Sequence, residues 1–189
     1  MKRIVNVLAL LLCVITLHAA DPVKLVKGDK SVFQQEVVAN VVIDDHTTLI
    51  DGKGKPADVY YGERSAAEYE KFVADVDRGH KSFITYFNEK RQRKTLLTMV
   101  EGDENAAYTL NIKVTSMNVG NAGGMVWGMS RKAGGALING TMQLVDNQTG
   151  EVACEFEFAK VKGLLAPIFK ARVISVYRYL ADGLLEAVE

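Results

Sequence analysis

The chain has 189 residues, 48% hydrophobic and 24% charged, with 23 basic residues against 23 acidic ones. These are ordinary globular values, and the length suits a single domain. The even charge balance excludes a global attraction to nucleic acid or to an anionic membrane.

Residues 1–20 read as a signal peptide. Lys2 and Arg3 form a charged start, Val7 to Leu17 is an apolar run, and His18-Ala19-Ala20 offers a small-residue cleavage site. The alternative is an N-terminal membrane anchor, but the run is shorter than the roughly 20 residues that a bilayer core needs. Cys13 lies inside the run behind Leu10-Leu11-Leu12, which argues against a lipoprotein. Cleavage near Ala19 or Ala20 removes two of the 23 basic residues, leaving 21 against 23, a net charge of −2 in the single domain 21–189. Only Cys154 survives processing, so no disulfide framework is expected in a periplasmic or otherwise exported compartment.

Residues 21–30 read as a short strand ended by Gly28-Asp29. The next strand, Glu36 to Ile43, places Val37, Ala39, Val41 and Ile43 on one face and Val38 and Val42 on the other, which predicts partial cover of both faces. Asp44 to Asp58 has the composition of a mobile loop. Ser65 and Glu68 then form a capping box. Behind it, Tyr69, Phe72, Val73, Val76, His80, Phe83, Ile84 and Phe87 follow one helical face. Gly79 marks a bend in that helix, and Lys90 to Lys94 suit the negative end of its dipole.

Leu96 to Val100 is a short strand and Glu101 to Asn105 a polar turn. Tyr108, Leu110, Ile112 and Val114 alternate with polar residues, as do Ile138, Gly140, Met142 and Leu144, and again Val152, Cys154, Phe156 and Phe158. Asp146 to Gly150 is a hairpin turn. From about Ala166 a second amphipathic helix presents Val173, Ile174, Tyr177, Ala181, Leu184, Leu185 and Val188, with Pro167 in its first turn. The order β-β-α-β-β-β-β-α predicts an α+β fold. Its mainly antiparallel sheet would have about five to six strands, with two helices packed on one face.

Asp44, Asp45, His46 and Asp51 concentrate the side chains that could bind metal or transfer protons. Adjacent residues on an extended chain point opposite ways, so a solvated loop is the simpler reading and neither metal nor catalytic residues are expected. His80, on an apolar helical face, reads as a partly buried histidine with one hydrogen bond. Cys154 reads as a buried small hydrophobe. The run Lys90 to Lys94 has no interleaved aromatics, no Gly-x-Ser-x-Gly or phosphate-loop motif occurs, and no cofactor is implied. Asn139-Gly140-Thr141 and Asn147-Gln148-Thr149 match the glycosylation sequon.

One segment has a composition that the fold does not demand. Residues 120–135 hold six glycines and the only tryptophan. Met125, Trp127 and Met129 are apolar, and Arg131 and Lys132 follow. Such a contact loop suits an envelope protein or a lipid headgroup surface. The alternative is a long hairpin with Trp127 folded back on the sheet and glycines at bulges.

Leu25 to Asp29, the strand ending at Asp44, Ala107-Tyr108-Thr109-Leu110 and Gly123-Gly124-Met125-Val126-Trp127-Gly128-Met129-Ser130 resemble a group of small, uncharacterised secreted proteins of Bacteroidetes. Asp146 with Gly150-Glu151 and the closing helix with Tyr177 and Leu180-Ala181 extend the likeness over most of the mature chain. The resemblance implies a secreted α+β domain and carries over no catalytic residues. The strand–turn–strand–helix end also resembles outer-membrane-associated assembly lipoproteins, whose lipobox is lacking here. The leading expectation is a non-enzymatic, envelope-associated binding domain. The alternative is a hydrolase using the Asp44–Asp51 loop, with or without metal.

Overall fold

Three consecutive segments with apolar residues at alternate positions build the centre of the sheet. In the computed structural model, which describes residues 21–45, 47–120 and 134–189, they are β6 (Tyr108–Asn118), β7 (Leu137–Asp146) and β8 (Val152–Lys162). Before them in the chain lie β1 (Val23–Gly28), β2 (Val38–Asp44), β3 (Leu49–Ile50), β4 (Lys55–Pro56) and β5 (Thr98–Val100). The helices are α1 (Ala57–Gly62), α2 (Ala66–Lys90) and α3 (Phe169–Val188). The main sheet order is β1-β8-β7-β6-β2-β5, with β3 and β4 at one end of β6.

The fold is α+β, but the sheet is mixed and has eight strands among the described residues, and α1 is a third helix. β1, β8, β7 and β6 are antiparallel neighbours, whereas β2 runs parallel to both β6 and β5. The physical reason is α2. A helix of 25 residues carries the chain back to the end of the sheet where β2 began, which a hairpin cannot do. The chain then passes β2 to reach β6, and the Asn40 side-chain carbonyl accepts the Gly102 N–H at 2.9 Å on the way.

The expected loop at 44–58 is also corrected. It holds β3, β4 and the start of α1, where Ile50 and Ala57 are buried. Two-residue strands carry no periodicity that could announce them. On β2, Ala39 and Val41 are buried but Val42 is 47% exposed, so only one face is covered.

The core lies between that face and the two long helices. Leu110, Ile112, Met142, Leu144, Phe156 and Phe158 meet Phe72, Val76, Phe83 and Phe87 of α2 and Val173, Val176, Leu180 and Leu184 of α3. Ser65 caps α2 by accepting the Glu68 N–H at 3.1 Å, as a capping box requires. The reciprocal half is missing. The Glu68 carboxylate pairs with Arg64 at 2.9 Å, and the Ser65 N–H goes to the Tyr61 carbonyl.

Within the continuous helix α2, Gly79 makes room for a neighbour. A Cβ there would lie 2.4 Å from the Tyr177 ring and 3.0 Å from Val173, so glycine lets the two helices close on one another. The helix α3 begins at Phe169, after Pro167, because the carbonyls that would start an earlier turn are taken by another group described below.

Candidate functional site

The acidic cluster read from the sequence separates in space. Asp44 ends β2 exposed, in register with Lys113, and Asp51 is exposed beyond β3. Asp45 turns inward and is 2% exposed. His46 lies outside the described residues. The alternation along an extended chain keeps these carboxylates apart.

Asp45 instead joins two residues far away in sequence. His80 Nε2–H donates to Asp45 Oδ2 at 2.8 Å, and the buried Tyr177 hydroxyl donates to the same oxygen at 2.8 Å. The His80 and Tyr177 rings meet edge to face at 5.1 Å. Burial, then the Asp45 charge, pushes the Tyr177 hydroxyl well above its ordinary range and keeps it a donor. This network ties the segment after β2 to both long helices. Among the described residues, no serine or threonine hydroxyl and no thiol bonds to it. The Thr48 hydroxyl nearby is buried without a partner among those residues. Cys154 is fully buried, and burial raises its thiol to about 12, so it is no nucleophile at neutral pH.

A second polar device was not anticipated from the sequence. Arg172, in the first turn of α3, is 7% exposed. Its Nε donates to the Val119 carbonyl at 2.9 Å, and one terminal nitrogen donates to the Ala166 carbonyl at 2.8 Å and the Pro167 carbonyl at 3.3 Å. Burial lowers its pKa, yet all its described partners are backbone oxygens. Ser175 adds a further tie, accepting the Leu164 N–H at 2.8 Å and donating to the Arg172 carbonyl at 2.8 Å. Gly163 N–H donates to the Ala136 carbonyl at 2.7 Å.

These bonds fix the loop between β8 and α3 while leaving its apolar side chains outside. Leu164 is 58% exposed, Leu165 46% and Ile168 54%. The same guanidinium holds Val119, one residue before the glycine-rich connection. Gly120 has φ +71° and its Cα side lies against the Gly134 carbonyl, where a Cβ would come within 2.5 Å. A Cβ on Gly135 would strike the Gly163 carbonyl at 1.9 Å. The connection therefore leaves and re-enters the sheet beside the exposed leucines. Met125, Trp127, Met129, Arg131 and Lys132 themselves lie outside the described residues.

Beside this end, Tyr61, Phe72 and Phe169 stack, with centroids 4.6 Å and then 5.9 Å apart. They line a cleft of about 240 Å³ with Glu68 and Lys71. A neighbouring cleft of about 440 Å³ is lined in part by Lys71, Arg78, Ile168 and Lys170. Burial raises the Tyr61 hydroxyl to about 12, so the stack is neutral at physiological pH.

The basic run at the end of α2 has structural duties. Arg91 donates to the Leu96 carbonyl at 3.0 Å, and Lys94 pairs with Glu189 at 2.7 Å. Both sequon asparagines are also engaged. Asn139 donates to Ser116 and accepts from the Lys160 N–H, and Asn147 donates to the Ala106 carbonyl.

No protein-family model matches the chain, and no curated protein matches it. Among solved structures it is similar to the PelC dodecamer from Paraburkholderia phytofirmans, at 13% identity and a TM-score of 0.43, over 84% of this chain and 96% of that one. A variant of the same PelC dodecamer gives 13% identity and a TM-score of 0.42, over 85% and 96%. Likeness of this degree carries no argument about function or assembly.

Proposed function

We propose that this chain is an exported, non-enzymatic domain that binds an envelope component through the sheet end from which residues 120–135 depart. The signal-peptide pattern of residues 1–20 supports export. The observation that carries the binding reading is the loop Gly163 to Ile168. Three large aliphatic side chains stay about half exposed on a backbone fixed by the buried Arg172 and Ser175. A fold that only needed to hide apolar surface would not rigidify its exposure. Covering the exposed half of each side chain contributes about 1 kcal/mol. In this reading Met125, Trp127 and Met129 extend the apolar contact, and Arg131 and Lys132 add cations beside it. The secreted group that the sequence resembles bears on export alone.

The alternative, hydrolysis from the Asp44–Asp51 loop, would rest on the Asp45–His80 hydrogen bond. That carboxylate oxygen already accepts two buried donors, which suits a structural tie better than a proton carrier.

Sedimentation with an envelope fraction tests the binding reading. The exported protein is expected to pellet with the fraction. Leu165→Asp should cut the pelleted share about tenfold, while Thr141→Asp on the open sheet face leaves it unchanged. Equal pelleting of the two variants would contradict the reading.

A further inference from the structure

We infer that the component met by this sheet end is the headgroup layer of an anionic lipid bilayer, with Leu164, Leu165 and Ile168 inserting and Lys162 and Lys170 contacting lipid phosphates. The inference rests on the contact reading above and names its partner. Its independent support is charge. The chain as a whole balances 23 cations against 23 anions, yet between Glu157 and Asp182 there is no acidic residue. That stretch holds Lys160, Lys162, Lys170, Arg172 and Arg178, and it contains the exposed loop.

The two carboxylates that line the clefts beside the loop, Glu68 and Asp75, are already paired. Glu68 bonds Arg64 at 2.9 Å and Asp75 bonds Arg78 at 2.8 Å. Lys71, Lys162 and Lys170 are exposed and make no ion pair among the described residues. A local excess of cations around aliphatic side chains is the arrangement that interfacial membrane contact requires, because weak insertion and weak electrostatic attraction add. A protein interface of the same size would centre on buried aromatic or arginine anchors. Among the described residues of the loop itself, the arginine is turned inward to hold the backbone, and the outward groups are leucine, isoleucine and lysine. No helix among the described residues is long and apolar enough to cross a membrane.

Sedimentation of the exported protein with synthetic vesicles tests this. Vesicles of about 30% phosphatidylglycerol in phosphatidylcholine should bind it at least about tenfold better than pure phosphatidylcholine, and binding should weaken as salt rises. The double variant Lys162→Glu/Lys170→Glu should lose about 25-fold, at roughly fivefold per lysine. The double variant Leu164→Ser/Leu165→Ser should lose binding to both vesicle types. All four positions are exposed, and circular dichroism with urea unfolding confirms that the variants fold.

Equal binding by wild type and both double variants, or no binding to anionic vesicles, would overturn the inference. A concentration-dependent dimer by light scattering that Leu164→Ser/Leu165→Ser abolishes, without vesicle binding, would overturn it in favour of a second copy. If vesicles fail but Leu165-dependent pelleting with the envelope fraction persists, the lipid inference falls and the contact reading stands. If both fail, both fall.

Discussion

Asp45 joins three segments that are far apart in the sequence. One carboxylate oxygen, almost wholly buried, accepts both Tyr177 and His80. Removing one donor leaves a buried charge short of a partner, which costs about 1–3 kcal/mol. Tyr177→Phe should therefore lower the urea midpoint by a corresponding amount without altering the slope of unfolding. Gly79→Ala should cost at least about 2 kcal/mol, because its Cβ would lie 2.4 Å from the Tyr177 ring. Unchanged midpoints in both would show that the network and the close helix approach do not matter to stability. The sequence made His80 legible as a partly buried histidine, since it interrupts an apolar face. It could not show the partner, because Asp45 lies 35 positions away and Tyr177 a further 97. The inward position of Tyr177 on the second amphipathic face was the available signal. Arg172 was missed for a different reason: a single arginine in a helical first turn reads as a solvated cation. Its exposure of 7% follows from the loop that it holds.

Among the elements, the loop between β8 and α3 matters most. Its shape depends on carbonyls at Val119, Ala166 and Pro167 that all accept from Arg172. Arg172→Met preserves much of the side-chain bulk and removes those bonds. It should cost about 1–3 kcal/mol and speed protease cleavage between Gly163 and Ile168. A wild-type cleavage rate would mean that the loop is held by packing alone. The long helices and β6, β7 and β8 were legible because their apolar periods, 3.6 and 2, run for many residues. The parallel pairing of β2 was not, since alternation reads the same whichever way a neighbour runs. Leu164-Leu165 between Gly163 and Pro167 was a readable sign of exposed apolar residues, and it lay outside both helical and strand patterns.

For the whole molecule, the distribution of charge singles out one end. Across the open sheet face, Lys24, Glu157, Thr141, Lys113 and Asp44 stand in register, so cations and anions alternate and cancel. The end bearing Leu164, Leu165 and Ile168 has no such cancellation between Glu157 and Asp182. The chain can therefore be neutral overall and still carry a local preference for an anionic surface. Trp127 is the single tryptophan and belongs to the connection leaving that end. The most direct measurement is its emission during titration of the exported protein with anionic vesicles. The expected result is a blue shift that saturates with lipid, is weaker in high salt, and is lost in Leu164→Ser/Leu165→Ser. Emission unchanged at saturating lipid, or a shift that persists in that variant, would contradict it.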